Sequence, residues 1–199
     1  MSRTREKLIE VARQLFAHKG VENTTMNDIA VASKKGRRTL YIYFKNKKGI
    51  YHAVIESELN KLHKSLLVVT ESAMREDEKL LEFIYARLDA VKEVVTRNGT
   101  LRANFFRNIW RVESVRKDFD AIEIQLIKAI LDSGVKNGVF EIRDTDVTAE
   151  LLHYAFKGLE VPYIRGSLIG FAHGKEGSWN AVIELVCKGL LAKELRVEY

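Results

Sequence analysis

Residues 24–44 read TTMNDIAVASKKGRRTLYIYF. Thr25 stands three residues before Asp28, the spacing of a capping box. Its hydroxyl can accept a helix-start N–H, and the acid favours the positive end of the helix. Met26, Ile29 and Ala30 form the apolar side of the short helix that follows. A break over about residues 33–36 separates it from a very short second helix, RRTLYIYF. Two short helices joined by about four residues, the second one basic, make the helix-turn-helix pattern. Ile29, Ala30 and Leu40 can pack the two helices together, and Gly36 is expected to supply the turn's unusual backbone angles.

The second helix must show polar groups to base edges and phosphates. Arg37, Arg38 and Thr39 open it, where major-groove contacts concentrate. Arginine pairs bidentately with guanine, and a threonine methyl can touch a thymine methyl. Tyr41 and Tyr43 offer hydroxyls and Lys45 offers charge, all suited to phosphates. Lys47 and Lys48 stand with the amides that open the next helix and also attract phosphate. Thr25, Lys34 and Lys35 complete the expected DNA-contacting set.

The flanking segments support this motif. TREKLIEVARQLFAHK, residues 4–19, places Leu8, Ile9, Ala12, Leu15 and Phe16 on one face at helical spacing, and Gly20 is a natural stop. Asn46 can cap a further helix carrying Ile50, Val54, Ile55, Leu59, Leu62 and Leu66. The polar run ESAMREDEK, residues 71–79, follows as a soft boundary. Four more helical patterns are expected, at about 79–97, 100–111, 115–137 and 145–161, then a last helix at about 179–193. Asn98-Gly99 and Gly138 punctuate them, and Asp144 can cap the fourth. Between Pro162 and Ser178 lie four glycines with Tyr163, Ile164, Leu168, Ile169 and Phe171, which suggests a mobile apolar cover.

Charge is concentrated at one end. The chain of 199 residues has a net charge of +6, yet residues 1–50 hold 12 Lys/Arg against four acids. A basic end joined to a nearly neutral body suits a polyanion. The single cysteine, Cys187, sits in an apolar run and is expected to be a buried thiol. No apolar leader follows the basic start and no run of about 18 apolar residues exists, so a cytoplasmic protein without membrane contact is expected. No phosphate loop or nucleophile motif appears, and an enzyme is not expected. His52 and Glu56 lie four apart on a helix but lack a second pair; the other histidines are scattered, so neither metal nor cofactor is expected. The rival reading is a helical ligand-binding or protein-interaction module without sequence-specific DNA binding.

The run TTMNDIAVASKKGRRTLYIYFKNKKGIYHAVIE resembles the N-terminal domain of TetR-type transcriptional regulators. The matching features are Thr25, Ile29-Ala30, Leu40-Tyr41-Ile42-Tyr43-Phe44 and Lys47, with LFAHKG before them. Over about residues 4–56 the likeness is specific; beyond, only architecture and the patch GVKNGVFEIRDTD resemble the family. The turn departs from it. Ser33-Lys34-Lys35-Gly36 stands where the family usually reads Ala-Gly-Val-Ser, and Lys48-Gly49 where it often has an acid.

The resemblance implies an all-α homodimer of about nine helices, with a three-helix DNA-binding domain over residues 2–62. A larger helical domain over residues 63–199 would bind an effector and dimerise. It implies a repressor released from double-stranded operator DNA by a small molecule. The helices at about 145–161 and 179–193 would form the dimer interface, through Ala155, Phe156, Leu159, Val182, Ile183, Val186 and Leu190. Candidate effector-pocket residues are Phe83, Arg87, Phe105, Phe106, Ile109, Trp110, Phe119, Ile122, Tyr154 and Glu160.

Overall fold

The computed structural model describes residues 3–97, 109–165 and Leu190. Phe105, Phe106, Val182, Ile183 and Val186 lie outside the described residues, as do Cys187, the expected helix at 179–193 apart from Leu190, residues 166–178 and the side chains of Ile109 and Trp110. The described residues form seven helices: α1 (Arg3–Lys19), α2 (Met26–Ala32), α3 (Arg37–Tyr43), α4 (Lys47–Thr70), α5 (Glu76–Arg97), α6 (Ile109–Lys136) and α7 (Thr145–Arg165). The all-α class is as expected. No described helix is long and apolar enough to cross a membrane.

Helix boundaries follow local chemistry. Gly20 stops α1 at φ 85°, its N–H on the carbonyl of Phe16 at 3.1 Å. Asn46 caps α4 by accepting the Gly49 N–H on Oδ1 at 2.9 Å. Asp144 caps α7 by accepting the Val147 N–H at 3.0 Å. Gly138 ends α6 at φ 73°.

Three boundaries differ from expectation. The break expected between two helices at about 111–115 is absent, and α6 runs unbroken from Ile109 to Lys136. Arg111-Val112-Glu113-Ser114 contains neither glycine nor proline to interrupt it. The polar run before residue 79 is not wholly a junction, because α5 already starts at Glu76. There Asp77 is fully buried against the Arg75 guanidinium at 2.6 Å, and buried Glu76 accepts from Ser133 and Asn137 at 2.7 Å each. Burial pushes the Glu76 carboxyl up most strongly of any one influence, but the bonds from Ser133, its own backbone and Asn137 together hold it below its usual range. Finally, α7 continues past Pro162 to Arg165. The proline removes one late backbone bond, a loss tolerable near a helix end.

Two compact units divide the chain: Met1–Lys61 with Glu93–Asp118, and Leu62–Lys92 with Phe119–Tyr199. In the first, α1–α3 and the start of α4 enclose Leu8, Phe16, Ile29, Ala30, Leu40, Phe44, Ile50 and Val54. Ile29, Ala30 and Leu40 therefore make the contact between α2 and α3 that the motif requires. The Phe16 and Tyr51 rings meet edge to face at 5.9 Å, and the Arg5 guanidinium lies 5.5 Å from the Phe44 ring centre.

In the second unit, Leu66, Leu80, Phe83, Ile84, Leu88, Ile127, Leu131, Phe140 and Phe156 form the core. A physical reason for part of GVKNGVFEIRDTD is visible there. A Cβ on Gly134 would stand 2.1 Å from the Phe140 ring, so only glycine admits that ring. The Gly134 carbonyl also accepts the N–H groups of Val139 and Phe140, at 2.8 and 3.1 Å.

Candidate nucleic-acid interface

Both motif helices have seven residues, too short to be stable alone, so their packing on α1 and α4 must hold them. The capping box before α2 is complete. The Thr25 hydroxyl accepts the Asp28 N–H at 3.1 Å, and Asp28 Oδ2 accepts the Thr25 N–H at 2.8 Å. The Thr25 backbone bond, then its hydroxyl bond, hold the Asp28 carboxyl below the usual carboxylate range. Thr25 is exposed.

The turn is closed by a Schellman motif. Ser33 is the C-cap in right-handed geometry, and Lys34 follows at φ 54°, the left-handed region. The Lys34 N–H bonds the Val31 carbonyl and the Lys35 N–H bonds the Ala30 carbonyl, each at 3.0 Å. Buried Ser33 donates its hydroxyl to the Ala30 carbonyl, also at 3.0 Å. Gly36, expected to carry the unusual angles, instead has φ −64° and ψ 148° and caps α3 without a side-chain bond. The helix-ending motif places the left-handed residue two positions earlier, at Lys34.

On α3, Leu40 points inward while Arg37, Arg38, Tyr41 and Ile42 are exposed; Thr39 and Tyr43 are half-buried. Lys34, Lys45 and Lys48 are exposed and Lys35 is half-buried. None of these six Lys/Arg side chains makes an ion pair with a described residue. A cluster of unneutralised cations is suited to phosphates. Lys47 is also half-buried, and its ammonium donates to the Glu22 carbonyl at 3.0 Å, tying α4 to the loop before α2. An ammonium has two further protons, so this tie leaves donors for a phosphate.

Ile42 stands outside the expected DNA-contacting set. It is 73% exposed, an apolar side chain on the outer face of α3. The available signal was helical spacing: with Leu40 inward, a residue two positions on faces the opposite way.

The second unit distributes the expected pocket residues unevenly. Phe83 is in the apolar core, and Arg87 and Glu160 are buried beside it in the same unit. Arg87 Nη2 meets Glu160 Oε1 at 2.8 Å, and Nε donates to Glu123 Oε2 at 3.0 Å. Phe119 is half-buried, whereas Ile122 and Tyr154 are exposed. Of the expected dimer residues, Phe156 belongs to the core of its own chain and Leu159 and Leu190 pack partly against that core. Ala155 is exposed. It continues an exposed stripe of α7 formed by Val147, Leu151 and Tyr154.

Residues 8–54 match the family of bacterial regulatory proteins described as tetR. The chain is 25% identical over 150 residues to the HTH-type transcriptional regulator YhgD of Bacillus subtilis, covering 75% of this chain and 78% of that protein. It is 26% identical over 166 residues to the probable acrEF/envCD operon repressor of Escherichia coli, covering 79% and 74%. A crystal structure of a transcriptional regulator from Cytophaga hutchinsonii is similar with a TM-score of 0.67 and 25% identity, over 78% of this chain and 79% of that one. With its helix-turn-helix lying inside the matched segment, the N-terminal unit carries a DNA-binding domain of the tetR type, and the chain is similar along most of its length to transcriptional regulators.

Proposed function

We propose that the protein is a homodimeric, sequence-specific DNA-binding repressor, released from its operator by a small molecule held in the helical unit after α4. The observation that carries this reading is α3 itself. Its Leu40 is anchored in a rigid core while Arg37, Arg38, Tyr41 and Ile42 face outward, the arginines free of ion pairs with described residues. In this reading Arg37 and Arg38 read base edges, Thr39 and Ile42 touch thymine methyls, and Tyr41, Tyr43, Lys45, Lys47 and Lys48 hold phosphates. Thr25, Lys34 and Lys35 flank the groove and add phosphate contacts.

Residues 2–62 act as the reading head and residues 63–199 as the effector-binding and dimerisation part. The exposed stripe of Val147, Leu151, Tyr154 and Ala155 is the share of the dimer interface contributed by α7. Phe83, Arg87 and Glu160 mark the interior that an effector would reach. The name of the Escherichia coli relative, an operon repressor, supports repression over activation. The regulator works without enzymatic chemistry, in the cytoplasm where a bacterial chromosome lies.

A fluorescence titration of the purified protein against duplexes from its own gene's upstream region tests this. Tight binding to one of them, at least about 1,000-fold above a scrambled duplex, is expected of a specific regulator. Equal affinity for both would leave a helical module with a basic surface and reject the proposal.

A further inference from the structure

A second site lies among the charges buried in the helical unit after α4. Asp120 and Glu123 stand three residues apart on α6, and His153 projects from α7. One ligand atom from each can be chosen so that all three lie within 4.8 Å of one another. His153 is fully buried, with Nδ1 3.2 Å from Glu123 Oε2 and Nε2 3.6 Å from Asp120 Oδ1. Neither ring nitrogen makes a properly directed hydrogen bond, and neither does Asp120 Oδ1. Buried polar atoms are nearly always satisfied, so three converging without such a bond call for an occupant.

The neighbouring cations orient this group. The Lys157 ammonium holds Asp120 Oδ2 at 2.8 Å, which leaves Oδ1 as the oxygen facing the imidazole. The Arg87 guanidinium holds Glu123 through Nε and Glu160 through Nη2. Contacts of this kind around a ligand set fix carboxylate orientation in metal sites. A tetrahedral ion with bonds of about 2.0–2.2 Å sets neighbouring donor atoms about 3.4 Å apart. One imidazole offers an ion a single nitrogen, so only one of the two separations, 3.2 Å at Nδ1 or 3.6 Å at Nε2, would be an edge of that tetrahedron, and either lies near the figure.

We propose that Asp120, Glu123 and His153 bind a divalent transition-metal ion inside the helical unit, with one imidazole nitrogen and the carboxylates as ligands. One nitrogen and two oxygen donors suit zinc, manganese or cobalt. Three protein ligands leave coordination open for water or an anionic ligand. The site is independent of the DNA-binding reading, since none of its residues belongs to α1–α3. The competing occupant of the gap is a proton, because an imidazolium could donate to both carboxylates.

Chelator-stripped full-length protein titrated with cobalt(II) tests the proposal. A visible absorption band saturating at a single ion per chain is expected, and zinc should displace it. His153→Gln and Asp120→Asn should each abolish the band, while His52→Ala retains it. No band, or a band that survives in both variants, overturns the site and leaves the imidazolium in its place. If either variant loses its helical circular dichroism, cobalt-edge anomalous scattering from wild-type crystals decides. A peak among Asp120, Glu123 and His153 supports the site, and a peak elsewhere or none rejects it.

Discussion

Lys35 donates its backbone N–H to the carbonyl of Ala30 at 3.0 Å, and this bond folds the chain back between the two motif helices. It forces Lys34, the residue before it, to φ 54°. A side chain in the left-handed region costs roughly 1–2 kcal/mol, which glycine avoids. Lys34→Gly should therefore raise stability by about 1 kcal/mol in chemical denaturation. It should also weaken DNA binding at low salt, because a cation beside the groove is lost. A destabilised Lys34→Gly protein would show that the turn does not hold this geometry in solution.

The turn also shows where the sequence is hard to read. The capping residues Thr25, Asp28, Asn46 and Asp144 act through neighbours three residues away, so their roles are local and legible. So are the inward positions of Ile29, Ala30 and Leu40, which obey helical spacing. The left-handed residue is different. Glycine is the natural candidate for that conformation, yet the hydrogen bonds of the Schellman motif, not residue preference, assign it to Lys34. His153 illustrates a second kind of difficulty. Its partners Asp120 and Glu123 lie on another helix, and no spacing in the sequence places residues 33 or 30 positions apart side by side. Arg87 is an expected effector-pocket residue, but its pairing with both Glu123 and Glu160 is a product of three-dimensional packing.

The capping box makes the DNA-binding unit acid-sensitive. The Asp28 carboxyl is held below its usual range by the Thr25 backbone bond and then by the hydroxyl. Glu10 is likewise lowered, chiefly by its bond to Arg13 and against the effect of burial. A lowered folded-state pKa gives stability that is present above the unfolded carboxylate value and lost as pH falls through the folded one. Thermal melting should accordingly weaken below about pH 4, the ordinary carboxylate range. Asp28→Asn keeps an oxygen acceptor for the Thr25 N–H and should show a shallower acid loss than wild type. An identical slope in the two proteins would remove Asp28 from this role. At neutral pH, Thr25→Ala should cost about 1 kcal/mol, as the loss of an N-cap does.

Arg37 and Lys48 are both exposed cations, but the proposed DNA contacts separate them. Arg37 lies in the first turn of α3 and is assigned to a base. Arg37→Ala should lose about 1–3 kcal/mol on the preferred duplex and much less on a random one. Lys48 opens α4 and is assigned to a phosphate. Lys48→Ala should weaken both duplexes alike and reduce the slope of log affinity against log salt by about one. Titrations at several salt concentrations read both quantities. Equal losses for Arg37→Ala on the two duplexes would make it a phosphate contact, and an unchanged slope would exclude Lys48 from the interface.

On α7, two hydrophobic residues five positions apart should fail in opposite ways. Phe156 is 2% exposed within the core, so Phe156→Ala leaves a cavity and should cost about 3–5 kcal/mol of stability. Leu151 is 66% exposed and belongs to the stripe of Val147, Tyr154 and Ala155. A charge there has water to face in a monomer but would be desolvated between two chains. Leu151→Glu should therefore convert a dimer to a monomer while retaining helical content. Light scattering and circular dichroism on the same samples measure both. Since two linked reading heads gain affinity from each other, DNA binding should fall far more than helicity does. A Leu151→Glu protein that stays dimeric would place the interface elsewhere on the chain.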